Sequence, residues 1–248
     1  DISDYMGETI VIKGDLLYEG KAKRLYATEN EEVLYVTYKD SATAFNGEKK
    51  AEIDGKGILN NKITTILFEQ LKKYGIESHF IEQLSENDQL VKKVEIIPLE
   101  VVVRNIAAGS LSKRLGLEEG TLLKHPIVEF YLKDDELGDP LLTNAHLDLL
   151  EIASSEEIDT LQTMALKVNQ VLLPIFSDIG VTLVDFKLEF GKTADGSILL
   201  ADEISPDTCR LWDKEKKQKL DKDVFRRNLG SLTEVYEIIL SRLGGLSK

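Results

Sequence analysis

The sequence predicts a mixed α/β (α+β) fold with mainly antiparallel sheets, and three observations support this class. The first forty residues are rich in Leu, Tyr and Val, three later segments carry apolar residues at helical spacing, and Asp195-Gly196 separates two strand-like segments as a hairpin turn would. A chain of 248 residues with 42% hydrophobic residues can form a large core, as one domain or as two lobes of about 100 to 150 residues.

The N-terminal part alternates predicted strands with one helix. The segments are strands at 16–26 and 33–38 around a turn at 28–30, an amphipathic helix at 58–74 and a short strand at 76–81. The β-branched run 91–103 is interrupted by Pro98, so it predicts two strands or a strand and a linker. This break is the expected boundary between an N-terminal lobe, 1–98, and a C-terminal lobe, 99–248.

The C-terminal part carries two long helical patterns. The predicted segments are a short helix at 110–114, a strand at 127–132, an acidic loop at 133–140, a helix at 156–176, strands at 181–190 and 198–204, and a final helix at 223–243. Ser154 or Ser155 is expected to cap the helix at 156–176. The charged run 213–223 favours a solvated loop over a binding surface.

Charge and composition exclude several classes of protein. The chain has 31 Lys and Arg against 44 Asp and Glu, and this acidic balance argues against broad binding to nucleic acid, which depends on neutralising phosphates. No apolar run is long enough to span a membrane. The single Cys209 cannot form an internal disulfide, and residues 1–6 lack the pattern of a signal peptide, so a cytoplasmic protein is expected.

The most informative strand is 184–190, because it places charged residues on one face. Side chains alternate along a strand, so Val184, Phe186, Leu188 and Phe190 should share a face and pack on the core. The opposite face then carries Asp185, Lys187 and Glu189.

The hairpin register predicts a pair of carboxylates. A two-residue turn at Asp195-Gly196 would place Glu189 directly opposite Asp202, where two like charges destabilise each other unless a proton or a cation lies between them. A hard ion such as Mg²⁺ takes one or two carboxylates and completes its shell with water and phosphate oxygens, and Lys187 could hold a phosphate oxygen. The alternative is an exposed polar face whose charges are solvated.

The segment after Asp202 contains turn residues followed by a cation. Ser205 and Asp207 lie in Ser-Pro-Asp-Thr, so both could serve only as turn or capping residues. Arg210 either forms a salt bridge or places its planar guanidinium over the mouth of the same site, where it would bind a phosphate or carboxylate. Cys209 is expected to be a packed residue, since no histidine lies nearby in sequence.

Two further segments could bind anions. The segment 18–24, Tyr-Glu-Gly-Lys-Ala-Lys-Arg, could cover nucleotide phosphates, or it could be a basic hairpin tip. Arg104 and Ser110 flank small residues before a helix, which suits an anion but also suits tight packing with Ser110 as a cap. The three histidines are isolated and are expected to be structural or surface residues.

Five motifs in order resemble the SAICAR synthetase family of purine-biosynthesis ligases, over residues 17 to 243. They are Tyr-Glu-Gly-Lys-Ala-Lys (18–23), Tyr-Lys-Asp-Ser-Ala-Thr-Ala-Phe-Asn-Gly (38–47), Val-Arg-Asn-Ile-Ala-Ala-Gly-Ser (103–110), Asp-Phe-Lys-Leu-Glu-Phe-Gly (185–191) and Asp-Glu-Ile-Ser-Pro-Asp-Thr-Cys-Arg-Leu-Trp-Asp (202–213). The resemblance implies a two-lobed fold, with an ATP cleft like that of kinases and ATP-grasp enzymes, and a homodimer.

The resemblance also implies a reaction. ATP, 5-amino-1-(5-phosphoribosyl)imidazole-4-carboxylate and L-aspartate would give the succinocarboxamide, ADP and phosphate. An acyl phosphate would activate the ribotide carboxylate, with positioning and charge neutralisation supplying most of the acceleration. Two other classes are weighed against it, a small-molecule kinase on the same cleft and a nucleotide-binding module without catalysis.

The resemblance assigns roles by position. The residues implied to bind ATP are Gly20, Lys21, Ala22 and Lys23 at the phosphates, Val94 and Ile96 at adenine, and Lys133 and Lys187 near the nucleotide. Those implied to bind Mg²⁺ are Glu189 and Asp202, and those implied to hold the ribotide are Arg104, Ser110 and Arg210 at its phosphate and Asp185 and Asp207 at its imidazole. The predicted catalytic groups are Asp185, Lys187 and Asp207. No role is assigned to Asp40, Asn46 or the loop 143–146, and the group that binds the aspartate carboxylates is not identified.

Overall fold

A computed structural model describes residues 11–244, which form fourteen strands and six helices. The expectation for residues 1–6 therefore lies outside the described residues. No helix within 11–244 is long and apolar enough to cross a membrane. The mixed α/β class with mainly antiparallel sheets is confirmed, since every pairing between the named strands is antiparallel.

The strands form two main sheets and one separate hairpin. The strands are β1 (Leu16–Glu19), β2 (Lys23–Ala27), β3 (Val33–Tyr38), β4 (Ser41–Ala44), β5 (Lys49–Glu52), β6 (Phe80–Gln83), β7 (Asp88–Lys92), β8 (Glu95–Ile96), β9 (Leu99–Ile106), β10 (Leu122–Leu132), β11 (Leu141–Leu142), β12 (Val181–Lys192), β13 (Ile198–Ala201) and β14 (Cys209–Asp213). The first sheet has the order β1-β2-β3-β7-β6, and the second has the order β11-β10-β9-β12-β13, with β8 and β14 also on β12. β4 and β5 pair only with each other among the described strands.

The described residues contain six helices. They are α1 (Lys56–Lys73), α2 (Gly109–Leu115), α3 (Asn144–Leu150), α4 (Ser155–Asp178), α5 (Asp223–Arg226) and α6 (Leu232–Leu243). Among them, α4 packs directly on the second sheet, and α1 and α6 pack on each other. One apolar cluster joins α1, α4, α6, β9 and β12, with fully buried members such as Leu67, Val101 and Phe176. Ser154 caps α4 by accepting a hydrogen bond from the backbone N–H of Glu157, as one of the two predicted serines should.

The prediction of a single final helix at 223–243 is wrong. The segment divides into α5 and α6, because Asn228 and Gly230 adopt positive φ of 52° and 141° and Ser231 begins a new helix as its N-cap. Continuous apolar spacing across the break had concealed it. The break separates the short α5 from α6, whose apolar residues belong to the core.

The prediction of a solvated loop at 213–223 is wrong at both ends. Residues 214–218 are exposed, but Asp213, Asp221 and Asp223 are buried. The Asp221 carboxylate accepts hydrogen bonds from the backbone N–H groups of Leu211 and Asp223, at 2.8 Å each. A carboxylate can be buried when backbone N–H groups donate hydrogen bonds to it, because these bonds replace its bonds to water. The number of charged residues in a segment does not show which of them form such bonds.

Several predicted boundaries shift. The strand at 16–26 is two strands with a turn at 20–22, the strand at 76–81 forms later, as β6, and Pro98 separates β8 from β9 as predicted. A bulge between Leu183 and Asp185 changes which side chains of β12 face the core. The core cluster therefore contains Leu183 with Phe186, Leu188 and Phe190, whereas Val184 is buried outside it, contrary to the prediction.

The chain passes from the first sheet to the second between Lys92 and Glu95. α1 packs on α6 and also contacts β6 and β3 of the first sheet. The division into lobes at 98 stays a prediction.

Candidate functional site

A cleft of about 640 Å³ lies between the two main sheets. Its apolar part is formed by side chains of the first sheet, including Leu25, Leu34 and Val36. Its charged part is formed by Lys187 and Glu189 of β12 and by the segment after β13. An apolar pocket beside a charged one suits a ligand that carries both a base and phosphates.

The hairpin register differs from the prediction by one residue. Glu189 pairs with Ala201, not Asp202, because residues 193–197 form a longer connection closed by Lys192 and Ile198. Asp202 follows the strand with φ of 55°, a left-handed conformation that turns the side chain away from strand alternation. The predicted register is therefore wrong, but Asp202 and Glu189 do line the same cleft.

The two carboxylates interact strongly. Burial raises the pKa of Glu189, and the neighbouring negative charge of Asp202 raises it further. Burial alone would also raise the pKa of Asp202, but the ammonium groups of Lys23 and Lys187 lower it well below its usual range. The pair is therefore a buried concentration of negative charge held by lysines.

Three of the predicted lysines surround this pair. Lys23 Nζ lies 2.6 Å from Asp202 Oδ1 and 2.9 Å from Glu203 Oε1. Lys187 Nζ lies 3.4 Å from Glu189 Oε2, and Lys133 makes an ionic contact with Glu189 Oε1. These lysines can neutralise phosphate charge as readily as carboxylate charge.

The oxygens of Glu189 and Asp202 fit a magnesium ion. Glu189 is buried, and its Oε1 is in ionic contact with the Lys133 ammonium, which a metal ion could replace. Mg²⁺ prefers oxygen ligands and is commonly held by one or two carboxylates with water and phosphate. The residues from 11 to 244 contain no group of three or more His, Cys, Asp or Glu placed to hold a metal without such additional ligands.

The predicted nucleotide residues lie on the cleft. Gly20, Lys21 and Ala22 form the hairpin tip between β1 and β2, Lys23 begins β2, and all four line the cleft. The phosphate-covering role stays a prediction. Lys21 Nζ lies 3.1 Å from Asp135 Oδ1, which links the tip to the loop that follows Lys133.

Val94 and Ile96 line the same cleft beside β12. Ile96 pairs with Gly191, and a Cβ on Gly191 would lie 2.4 Å from Val94 Cγ2. Only glycine allows this approach of β8 to β12. The glycine that ends the motif 185–191 is thereby explained by packing.

Four of the five predicted ribotide residues, all except Asp207, form a separate cluster farther along β12. Arg104 Nη1 lies 3.1 Å from Asp185 Oδ2, and Arg210 Nη1 lies 3.0 Å from the same oxygen. Arg104 Nη2 donates a 3.0 Å hydrogen bond to Ser110 Oγ. Arg210 Nε also bonds Asp223 Oδ2 at 3.0 Å, so the salt-bridge interpretation of Arg210 is correct. The cluster does not line the 640 Å³ cleft; its residues named here are Arg104, Ser110, Asp185, Arg210 and Asp223.

Sequence reasoning missed one carboxylate and one phenol that complete this cluster. Glu129 contacts Arg104 and lies 2.5 Å from Arg114 Nη2, and Tyr131 Oη accepts a 3.1 Å hydrogen bond from Arg104 Nη2. Both residues alternate on β10, which is longer than predicted. Period-two spacing beside the Arg104 strand is the only sequence signal for them.

Asp207 lies in a buried polar group at the cleft wall. Its Oδ2 lies 2.6 Å from Lys56 Nζ and its Oδ1 accepts a 2.6 Å hydrogen bond from Tyr236. Although burial alone would raise the pKa of Asp207, Lys56 and Lys222 lower it to about 2. The predicted turn role is also present, since the backbone N–H of Asp207 donates to Ser205 Oγ.

Lys56, Lys222 and Glu203 line the cleft and were not predicted. Lys56 is 1% exposed and also donates a 2.8 Å hydrogen bond to Ser41 O. Its position between two glycines at a helix start resembles a turn, and Lys222 was included in the charged run. Charged side chains that become buried through long-range contacts carry no local pattern.

The unassigned motif residues act in support. Asp40 Oδ1 accepts a 2.8 Å hydrogen bond from Gly57 N and thus caps α1, whose N-cap Gly55 has no side chain to do so. Asn46 donates a 3.1 Å hydrogen bond to Asp135 O. Thr143 and His146 form a capping box that begins α3, so the loop 143–146 has a structural role.

Cys209 and His79 are structural, as predicted. Cys209 is buried, and burial raises the pKa of its thiol. His79 is also buried, and burial lowers its pKa to about 4, so its ring is neutral. Its Nε2 lies 3.1 Å from Asp202 O, which supports the strained backbone beneath that carboxylate.

The chain was compared with known proteins. It matches the family described as SAICAR synthetase over residues 16–243. The phosphoribosylaminoimidazole-succinocarboxamide synthase of Lysinibacillus sphaericus is 71% identical over 233 residues, which are 94% of this chain and 99% of that protein.

Solved structures agree with this match. The crystal structure of phosphoribosylaminoimidazole-succinocarboxamide synthase from Ehrlichia chaffeensis superposes with a TM-score of 0.91 at 47% identity, covering 93% of this chain and 98% of that one. A SAICAR synthetase in complex with ADP superposes with a TM-score of 0.89 at 51% identity, covering 92% and 97%. The similarity thus includes both main sheets and the cleft between them.

Proposed function

This chain belongs to the SAICAR synthetase family, and we propose that its cleft joins L-aspartate to 5-amino-1-(5-phosphoribosyl)imidazole-4-carboxylate through an acyl phosphate. The chain is an ATP-dependent carbon–nitrogen ligase of purine biosynthesis. The observation that carries the proposal is the order of groups along one strand, β12, which passes from the nucleotide part of the cleft to the arginine cluster.

Four alternate residues of β12 mark this order. Gly191 lies against β8, Glu189 belongs to the carboxylate pair, Lys187 follows, and Asp185 is bound by two arginines. At about 3.3 Å per residue, Gly191 and Asp185 are roughly 20 Å apart. Adenine would lie at the first end and the ribotide phosphate at the second, so that their reacting groups meet near Lys187.

The adenine end has the expected character. Leu25, Leu34 and Val36 give an apolar surface from the first sheet, and the segment with Val94 and Ile96 lies across from it. The turn with Gly20, Lys21, Ala22 and Lys23 would cover the phosphates with backbone N–H groups and two ammonium groups.

Glu189 and Asp202 would hold Mg²⁺ together with nucleotide phosphate oxygens. The ion supplies Lewis-acid stabilisation of charge on the phosphates when it is bound. Lys23, Lys133 and Lys187 would exchange part of their present contacts with these carboxylates for contacts with phosphate oxygens. Their charge then stabilises the transferring phosphoryl group, for which positioning and electrostatics supply most of the catalysis.

The chemistry begins with a poor acyl donor. A carboxylate oxygen of the ribotide attacks the γ-phosphorus, the bond to the bridging oxygen breaks, and ADP leaves. The aspartate nitrogen then attacks the acyl carbon, the carbon–oxygen bond breaks, and phosphate leaves while the nitrogen loses a proton. Lys187 would lie beside both reacting groups. Asp207, which the resemblance puts beside the imidazole, is ionised at neutral pH and would here accept a hydrogen bond from the attacking amine instead.

The arginine cluster would bind the ribotide. Arg104 and Arg210 would exchange part of their present contacts for a phosphate that Ser110 also binds, and Asp185 would accept a hydrogen bond from the imidazole amine. Planar guanidinium groups suit phosphate because they donate two parallel hydrogen bonds.

A coupled assay of ADP release tests this function. The complete mixture is compared with three mixtures that each lack ATP, the ribotide or aspartate. We expect ADP release to require all three. Release without aspartate, with a stable phosphorylated product, would indicate a small-molecule kinase, and binding of ATP without turnover would indicate a nucleotide-binding module.

We also infer a homodimer. Leu115 at the end of α2 and Leu122 at the start of β10 are 62% and 77% exposed, and a second copy would cover them. Light scattering on Leu122→Glu should then report a larger monomer fraction than on the unchanged chain. The same average mass for Leu122→Glu and for the unchanged chain would contradict this inference.

A further inference from the structure

The amino acid substrate of the proposed reaction carries two carboxylates that stay negative throughout. Binding such a group in a cleft favours a cation that the protein has not already neutralised. Most lysines of the cleft are ion-paired with carboxylates; these are Lys21, Lys23, Lys56, Lys133 and Lys187. Within residues 11–244, the Lys222 ammonium makes no hydrogen bond or ion pair, although Lys222 lines the cleft.

The backbone places Lys222 at the proposed reaction centre. Its N–H donates a 3.0 Å hydrogen bond to Pro206 O, which fixes it beside Asp207. The next residue of that turn, Thr208, accepts a 2.8 Å hydrogen bond from the N–H of Lys187 on β12. Lys222 therefore lies next to the strand position where the activated carboxylate would be.

Another cleft lysine without an ion pair among the described residues does not share this position. Lys92 is exposed and belongs to β7 of the first sheet, next to Val91. It lies on the nucleotide side of the cleft, away from the turn that carries Asp207. Lys222 is thus better placed to meet the second substrate.

The surroundings of Lys222 favour an incoming anion. Burial lowers the pKa of Lys222 to about 8; Asp207 counteracts this, but Arg226 and Lys56 lower it further. An ammonium group that is partly desolvated near other cations gains from contact with a carboxylate. Asp207, in contrast, is ionised, and each of its oxygens has accepting capacity beyond its bonds to Lys56 and Tyr236.

We propose that Lys222 and Asp207 form the subsite for the amino acid substrate, with Lys222 binding its α-carboxylate and Asp207 accepting a hydrogen bond from its amino group. This proposal rests on the function proposed above. The two groups of an α-amino acid are attached to one carbon, so a cation beside an anion matches them. The same arrangement directs the amine toward Lys187, where the acyl group would be.

A substitution that removes the charge tests the subsite. In Lys222→Met, we expect the KM for aspartate to rise roughly 10- to 100-fold, as for loss of one hydrogen bond to a charged group, while the KM values for ATP and ribotide stay within about threefold. Succinate has the two carboxylates but no amine, and it should inhibit Lys222→Met more weakly than the unchanged enzyme, by a similar factor. Lys216→Met is the matched control, since Lys216 is exposed in the same charged segment.

Lys222→Arg separates binding from proton transfer. Arginine keeps the positive charge but cannot act as a base, so it should keep the aspartate KM within about fivefold of the unchanged enzyme. Equal impairment of the Arg and Met variants would overturn the proposal, as would an unchanged aspartate KM in Lys222→Met or a rise confined to the ribotide KM. If the unchanged enzyme releases ADP without needing aspartate, the proposed function fails instead.

Discussion

The arginine cluster and the carboxylate pair are the two charged regions of the site, and they differ in the kind of cation that compensates their carboxylates. Asp185 is bound by Arg104 and Arg210, and these arginines are bound in turn by Glu129 and Asp223. In the carboxylate pair, the cations are lysines, since Lys23 binds Asp202, and Lys133 and Lys187 bind Glu189.

This difference indicates different roles. In the cluster, each arginine is held between carboxylates, so its donors have fixed positions before a phosphate arrives. In the pair, long lysine side chains hold the two carboxylates, and a lysine can turn to a phosphate oxygen while a metal ion takes its place. We therefore expect the cluster to determine affinity for the ribotide and the pair to determine rate.

The largest expected effect comes from the pair. Glu189→Gln or Asp202→Asn should lower kcat by about 10²- to 10⁴-fold because each loses a proposed magnesium ligand, while the ribotide KM changes less than about threefold. Initial rates across a magnesium titration provide the measurement.

Glu100→Gln is the control within the same cleft. Glu100 lies 3.6 Å from Lys187 Nζ but is not a proposed metal ligand. Its kcat should fall by less than about tenfold. Near-normal rates for the Glu189 and Asp202 variants at low magnesium would contradict the metal assignment.

The next effect separates the cluster from the pair. Arg210→Met should raise the ribotide KM by about 10- to 100-fold, because it removes a charged donor, and leave the KM for ATP nearly unchanged. Steady-state kinetics with each substrate varied give both values. Arg226→Met is the matched control, since Arg226 binds the same Asp223 at 2.8 Å without contacting Asp185. A larger change in the KM for ATP than in the KM for the ribotide would contradict the assignment of Arg210 to the ribotide phosphate.

A pH series distinguishes the cluster from the subsite at Lys222. The pKa of Lys222 is lowered to about 8, so its ammonium is charged below that pH and loses its charge above it. The groups that face it are Asp207, Lys56, Lys187 and Arg226. The aspartate KM should therefore rise by about five- to sixfold between about pH 8 and pH 9, beyond any rise in Lys222→Arg.

The ribotide KM should not show this rise, because arginine stays charged throughout that range. The titration of free aspartate is the same for both enzymes and cancels in the comparison. Identical aspartate profiles for the unchanged enzyme and Lys222→Arg would contradict the assignment.

The smallest effect lies outside both regions. Asp40→Ala should lower the free energy of unfolding by about 1 kcal/mol, because α1 loses the cap that Asp40 supplies to Gly57 N, with little change in any KM. Urea unfolding measures it, with Asp54→Ala, an exposed neighbour, as the control. Equal stability of the two variants would show that the cap contributes nothing.

Local patterns predicted much of the fold. The helices α1 and α4, the break at Pro98 and the acidic loop after Lys133 follow from apolar spacing, capping residues and proline. The break between α5 and α6 was missed because its apolar spacing continues across Asn228 and Gly230. The register at Glu189 was missed because it depends on the length of the connection, not on the Asp-Gly signal.

The site was predictable where a motif marks it and not where packing creates it. The residues predicted to bind nucleotide and metal lie together on one cleft, and those predicted to bind the ribotide phosphate lie in one cluster. Lys56, Glu129 and Lys222 escaped prediction because each acquires its environment from a distant segment. Burial of a charge depends on three-dimensional contacts, which residue spacing alone does not specify.

A crystal structure with a non-hydrolysable ATP analogue and Mg²⁺ tests the central assignment most directly. We expect the metal at about 2.0–2.1 Å from a carboxylate oxygen of Glu189 and of Asp202, with phosphate oxygens completing its shell and Lys23 moved toward the phosphates. A metal bound only by phosphates and water, with both carboxylates still held by lysines, would contradict it.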